Sequence, residues 1–309
     1  MKRANVQHQS VLGEGYEPSV FNVLQPQEGD IVLDATVGLG GHAEGFLTRI
    51  GNTGRLFTVD ADEVNLQSAK ERLSSFTDQC AFMHGNFRDI GSMGIPLVDV
   101  ILADLGLSSP HLDDASRGFS FHHDAPLDLR FDRTRGVTGA EILADASELE
   151  MKRILKENGE LRESGRIAAT LYREVRRGSG IATTGDLRRI IERLFGYRAA
   201  AILPQVFQAL RIAVNDELGA LREFLDAAPN LLKPGGRMGI ISFHSLEDRM
   251  VKEKFRSLAT PIKDPRTGAV AEEALFTLLT RKPIVPSDQE VQRNSRARSA
   301  KFRAITKTR

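Results

Sequence analysis

The stretch Ile31-Val-Leu-Asp34-Ala-Thr-Val-Gly38-Leu-Gly40-Gly41-His42 decides how this chain is read. Ile31 to Leu33 make the continuous apolar run of a central parallel strand, and the glycines allow a tight turn into a helix and a close approach of backbone to a ligand. Two cofactor classes use such a turn. A dinucleotide seats its pyrophosphate at the helix N-terminus, and Gly38-x-Gly40-x-x-Ala43 satisfies the loose form of that pattern. Asp34 argues against it. A carboxylate at the strand end, four residues before the first glycine, is a poor neighbour for a pyrophosphate and a good acceptor for an ammonium group. S-adenosylmethionine, with its amino acid head and sulfonium, fits an acidic strand end followed by Gly-x-Gly-Gly better.

Downstream, the pattern repeats. After a helix through Ala43, Phe46, Leu47 and Ile50, a second strand, Arg55–Asp60, ends on an acid twenty residues after Gly40. That is the spacing at which a βαβ unit brings a carboxylate to a ribose; the lesser alternative is that Asp60 caps the helix starting near Asp62. A helix over 63–74 leads to a third strand around Ala81–His84 and the turn Gly85-Asn86-Phe87, where Asn86 could meet an adenine edge and Phe87 its face, or Phe87 could fill core. A fourth strand, Val98–Asp104, again ends on an acid. Asp34, Asp60 and Asp104 thus reach one carboxyl edge of a parallel sheet, where open α/β folds bind ligands. Upstream, residues 1–28 are polar, with a short helix expected from Pro18.

Sheet logic then stops for about 100 residues. The next strand is Arg237–Phe243, fed by a helix from about Val206 to Ala228. Between them, helical spacing over 140–155, 167–175 and 187–194 predicts inserted helices, since long structureless loops are uncommon. The domain boundaries expected are 1–110 with 206–309 for the doubly wound domain, and 111–205 for the insertion. Past Phe243 comes a helix from Leu246 to about Leu258, and Leu275–Thr280 and Ala300–Thr306 can pair as closing strands.

Net charge is +1, but its distribution is uneven. Residues 281–309 hold nine Lys/Arg against two acids and 151–200 hold twelve against six, whereas 110–150 hold four Arg against nine acids. The basic portions suit a nucleic-acid partner or are merely solvated faces. Cys80 is the only cysteine, which excludes an intrachain disulfide and a cysteine-cluster zinc site. His122-His123-Asp124 reads as loop, so no metal is expected. With no apolar signal core in residues 1–12 and no run near the roughly twenty apolar residues of a membrane span, the chain is expected to be cytoplasmic and to use no membrane.

The candidate chemistry follows Asp104. Leu105-Gly-Leu-Ser108-Ser109-Pro110-His111 sets two hydroxyls and a rigid turn beside the presumed sulfonium, where a class I methyltransferase receives its acceptor. An exocyclic amine of a base has its lone pair delocalised into the ring, so an acceptor that takes one N–H assists attack and later holds the proton. Asp104 and Ser108 are the candidates, and His244, after the fifth strand, is a third. Phe119, Phe121 and Arg130 open the insertion and could stack on an unpaired nucleotide, or form the small domain's core.

These residues, taken together, resemble the ribosomal RNA small subunit methyltransferase H family, the MraW-type cytosine-N4 methyltransferases. The likeness runs through His8-x-Ser10-Val11, Asp34-x-Thr36-x-Gly38-x-Gly40-Gly41-His42, Asp104-Leu-Gly-x-Ser108-Ser109-Pro110, Arg117-Gly-Phe-Ser-Phe121, Pro126-Leu-Asp128-x-Arg130-x-Asp132, Phe207-Gln208-Ala-x-Arg211-Ile212-x-Val214-Asn215, Ser242-Phe-His244-Ser-Leu-Glu-Asp248-Arg249 and Asn294-x-Arg296-Ala-Arg298-Ser299. The resemblance implies a Rossmann-like class I S-adenosylmethionine methyltransferase with an inserted helical substrate domain. It also implies N4 methylation of a cytidine in the decoding region of 16S rRNA, with the small ribosomal subunit as partner. It carries cofactor contacts onto Gly40, Gly41, His42, Asp60, Phe87, Asp104 and His111, the last standing where glutamine is usual. Asn158-Gly-Glu160-Leu161 and Leu203-Pro204-Gln205-Val206 also depart from the family's common runs. A homodimer is left open. Two rivals remain: a nicotinamide oxidoreductase, which leaves Asp34 and the Ser108-Ser109-Pro110 turn unexplained, and a nucleic-acid-binding factor without catalysis, which has no use for three strand-end acids.

Overall fold

A computed structural model describes residues 10–13, 15–17, 19–178 and 180–309. His8 and Pro18 lie outside them; the first helix described, α1 (Val20–Leu24), is capped by Ser19. Described residues up to Gly106, with Ala220–Arg309, form one compact unit, and Leu107–Gly219 form a second.

The first unit is built on a seven-stranded sheet. Strands β1 (Ile31–Asp34), β2 (Arg55–Asp60), β3 (Cys80–His84), β4 (Val98–Asp104), β5 (Leu232–Ser242), β8 (Phe276–Leu278) and β9 (Lys301–Lys307) lie in the order β3-β2-β1-β4-β5-β9-β8. β1 to β5 are parallel, and β9 runs antiparallel to both β5 and β8. Successive side chains go to opposite faces. Val32, Leu56, Val100, Leu102 and Ile241 join a core with α1, α2 (Gly41–Ile50) and α3 (Glu63–Arg72). Leu33, Val59, Ile101, Ala103 and Ile240 join another with α10 (Glu217–Ala227) and α11 (Ser245–Leu258). Both faces are therefore covered, which is why the strands read as apolar runs rather than alternating ones. The winding reverses between β1 and β4, so the carboxyl ends of those strands flank the topological switch point.

The β5 strand begins five residues earlier than expected: Leu232 pairs Val98, and the pairing resumes at Val100 with Arg237 after the Pro234-Gly235-Gly236 detour. A hairpin of β6 (Ile262–Lys263) and β7 (Val270–Glu272) in the proline-broken connection carried no strand signal in the sequence.

The second unit is helical: α5 (Gly139–Asp145), α6 (Glu148–Glu157), α7 (Ser164–Arg176), α8 (Thr184–Phe195) and α9 (Ala199–Asn215) surround Leu155, Ile167, Leu171, Leu187, Ile191, Val206 and Leu210. The single helix expected over 206–228 is in fact two. Asp216 adopts φ +47 and its N–H bonds the Ile212 carbonyl, closing α9 before α10 opens. Likewise 140–155 is split where Ser147 caps α6.

Gly45 on α2 faces the buried ring of Phe21, and a Cβ there would stand 2.3 Å from Phe21 Cζ. That ring packs edge-on to Phe46 with Arg49 over its face, so its movement away from α2 is restricted. Gly45→Ala is expected to lower stability by about 1–3 kcal/mol through overpacking, although alanine favours a helix interior by about 1 kcal/mol. Chemical denaturation would check the sign; a stabilised variant would show that Phe21 can yield.

Candidate active site

The glycine turn is anchored to strands on both sides of β1. Ala35 N–H bonds the Leu102 carbonyl and Val37 N–H bonds the Val59 carbonyl. Gly38 has φ +53 and Gly40 φ +80, conformations in which a side chain would be strained. Gly40 caps α2, and a Cβ on Gly41 would fall 2.0 Å from Ser10 Oγ. Each glycine is thus required by its place.

The three strand-end acids have different surroundings. Asp60 Oδ2 accepts the Gly38 N–H at 2.8 Å, and Oδ1 accepts the Asp62 N–H at 2.8 Å, so this carboxylate fastens the turn to β2. Asp62 provides the cap of α3, accepting the Val64 N–H. Asp34 is 1% exposed. Its Oδ1 takes the Thr36 N–H and its Oδ2 has no partner. Burial pushes its carboxyl up to about 7; the Thr36 N–H opposes this and the Asp60 charge adds to it. Asp104 donates its backbone N–H to Thr36 Oγ1 at 2.6 Å, while its Oδ1 is buried without a partner. Burial holds its carboxyl well above the ordinary range, and Asp34, Glu247 and Glu290 reinforce the effect. His42 Nδ1 lies 3.6 Å from Asp104 Oδ2.

Other expected site residues are engaged in local structure. Asn86 caps the turn after β3 by accepting the Arg88 N–H, and Phe87 packs edge-on to Phe224 with ring centroids 5.2 Å apart. His244 caps α11, its Nδ1 accepting the Glu247 N–H, while Glu247 Oε2 accepts the Phe243 and His244 N–H groups. In the second unit, Ser108 caps the short helix α4 (Ser109–Asp113). His111 Nδ1 accepts the Ser108 N–H at 3.1 Å, and its buried ring packs beside both Phe119 and Phe131, with centroids 5.1 and 5.2 Å away.

Phe119 and Arg130, left open in the sequence between nucleotide stacking and core, are held in internal contacts. Phe119 is buried and stacks on Phe131. Arg130 is ion-paired with Asp128 at 2.7 Å, Arg117 bonds the Arg130 and Phe131 carbonyls, and Asn215 ties Leu129 and Phe131 to α9. In the closing strand, Arg303 is buried and grips Asp248 at 2.6 Å, with Lys301 3.4 Å from the same carboxylate. Burial alone would raise the Asp248 carboxyl, but Arg303 and then Lys301 hold it below the usual value. Those two cations of the basic tail are therefore braces between α11 and β9.

Two contributors were not singled out by sequence reasoning. Thr36 stood in the glycine motif without a role. Glu290 looks like an ordinary third-position acid after the cap Ser287, yet it is fully buried and accepts the Leu12 N–H.

This sheet order, with its glycine turn and strand-end acids, is that of a Rossmann-like class I methyltransferase carrying an inserted helical unit. The family model described as the MraW methylase family matches residues 5–308, and the chain belongs to that family and is a methyltransferase. A relative from Symbiobacterium thermophilum named ribosomal RNA small subunit methyltransferase H is 42% identical over 302 residues, covering 93% of each chain. One of the same name from Syntrophotalea carbinolica is 44% identical over 316 residues, covering 99% of each. A solved putative rRNA-methylase from Clostridium thermocellum has TM-score 0.41 and 12% identity, covering 91% of this chain and 90% of that one, a likeness too slight to argue from. Among the described residues no helix is long and apolar enough to cross a membrane.

Proposed function

We propose that this methyltransferase uses S-adenosylmethionine to methylate the N4 amine of a cytidine in the decoding region of 16S rRNA, acting on the small ribosomal subunit. The observation that carries the reading is the pair of unpartnered carboxylate oxygens, Asp34 Oδ2 and Asp104 Oδ1, at the switch point. Uncompensated buried acceptors beside a glycine turn suit a cationic ligand and repel a pyrophosphate. S-adenosylmethionine supplies an electrophilic methyl group on a sulfonium.

The chain's own residues would then divide the work. Asp34 would face the ammonium group; Gly40, Gly41 and His42 would form the cradle; Asp60 would accept from ribose; Phe87 would flank the adenine. Asp104 would accept an N–H of the cytosine amine, helping the nitrogen become tetrahedral, and then take the proton. Ser108, His111 and His244 are proposed to hold the acceptor loop and the start of α11 rather than to move protons, because each is engaged as a cap or its partner. The inserted unit is proposed to recognise RNA, with phosphate contacts falling to exposed arginines of α7 and α8 and to Arg296 and Arg298.

Transfer of labelled methyl to small subunits, and to naked 16S rRNA, from a strain lacking this protein would test the reading. The expected product on nucleoside analysis is N4-methylcytidine at one site; a different methylated nucleoside would refute it.

A further inference from the structure

Val11 and Leu12 share one peptide unit, and two distant side chains grip its ends. The Val11 carbonyl lies 2.9 Å from His42 Nε2, and the Leu12 N–H donates to Glu290 Oε1 at 2.7 Å. Leu12 has φ +51, a conformation leucine adopts only when its surroundings impose it. A carbonyl can only accept, so His42 Nε2 carries a proton. Nδ1 lies 3.6 Å from Oδ2 of Asp104, the methyl-transfer acid, just beyond hydrogen-bond length. His42 is 5% exposed, and the Asp104 side chain it faces is 23% exposed.

Charge explains why a base is needed there. Asp104 on β4 is faced by Asp34 from β1, Glu247 from α11 and Glu290 from α12 (Asp288–Arg293), while the Glu44–Arg72 ion pair lies beside Gly41. A bound sulfonium offsets this negative field, and methyl transfer removes that positive charge. The amine lone pair forms the N–C bond, the electrons of the broken C–S bond stay on sulfur, and the surplus proton leaves the nitrogen. We propose that His42 is a positioning residue whose Nδ1 receives this proton from Asp104, so that an imidazolium replaces the lost cation and Asp104 is freed for the next amine. The Val11–Leu12 peptide, held by Glu290, keeps a proton on Nε2 and leaves Nδ1 as the atom that takes up this one. The proposal rests on Asp104 being the first proton acceptor.

His42→Gln tests it, because the glutamine amide can still donate to the Val11 carbonyl but offers no base to Asp104. The single-turnover rate at pH 7 is expected to fall at least about tenfold, the acidic limb of its pH profile to flatten, and the dissociation constant of S-adenosylmethionine to change less than the rate. A second measurement needs neither turnover nor that variant: in the ligand-free protein, the NMR titration of the His42 ring should move on Asp104→Asn. An unchanged rate and pH profile in His42→Gln, or a His42 titration indifferent to Asp104→Asn, would overturn the proposal. Wild-type turnover by Asp104→Asn would sink the Asp104 reading and this one with it. An inactive Asp104→Asn beside a His42→Gln with the wild-type profile would sink the His42 step alone.

Discussion

Asp104→Asn is expected to lower the single-turnover rate of methyl transfer by about a hundredfold or more at saturating S-adenosylmethionine. Asparagine keeps the shape of the side chain and leaves intact the backbone N–H bond to Thr36 Oγ1, so the turn after β4 should hold. What it removes is the capacity to take a proton. The wild-type carboxyl sits well above the ordinary range because burial and the charges of Asp34, Glu247 and Glu290 all favour its neutral form. A neutral acid cannot receive the amine proton, so the group becomes useful only when a cation restores its charge. Rate should therefore rise with pH across the range in which Asp104 ionises in the loaded protein, and the variant should lack that limb. Stopped assays with excess enzyme separate this from affinity. Recovery of the wild-type rate at saturating cofactor would remove Asp104 from the proton path.

The opening stretch was legible because its logic is local. An apolar strand, a carboxylate and glycines in left-handed conformations are each dictated by the residue that stands there, and the spacing to Asp60 and Asp104 follows from βαβ connectivity. Pairings distant in sequence were not legible. Arg303 stood in a basic tail that suggested phosphate, and only the fold shows it buried on Asp248, 55 residues away. Glu290 resembled a helix-capping acid, yet its carboxylate reaches back to Leu12 across 278 residues. The break at Asp216 was hidden because apolar spacing runs on through both α9 and α10, and an aspartate in left-handed conformation leaves no periodic mark. The insertion's helices were visible in period, whereas the role of its motifs was not: Asp128, Arg130 and Asn215 look equally like ligands for RNA and like the internal bracing they provide.

Asp34→Asn is expected to act in opposite directions on stability and on binding. The Asp34 carboxyl is pushed up to about 7 from an ordinary 3.8, chiefly by burial, so the fold favours its neutral form. Between those two values the folded state holds more of this proton than the unfolded chain, and stability falls as pH rises through the window. A shift of this size corresponds to about 4 kcal/mol between low pH and pH 8. Asparagine avoids the buried charge but places an amide where Oδ2 has no partner, a cost of about 1–3 kcal/mol. The free variant should therefore be more stable than the wild type at pH 8, by about 1–3 kcal/mol, and should lose that advantage near pH 5. Binding should move the other way. A cationic ligand selects the carboxylate, so wild-type affinity for S-adenosylmethionine should rise as pH passes through 7, with proton release on binding. Loss of the charge-assisted bond should weaken the variant about tenfold to a hundredfold at pH 8 and flatten that slope. Calorimetry in buffers of different ionisation enthalpy measures both the affinity and the released proton. A variant that binds as tightly as the wild type with the same pH slope would show that the ammonium group is held elsewhere, and that Asp34 is only a buried acid at the end of β1.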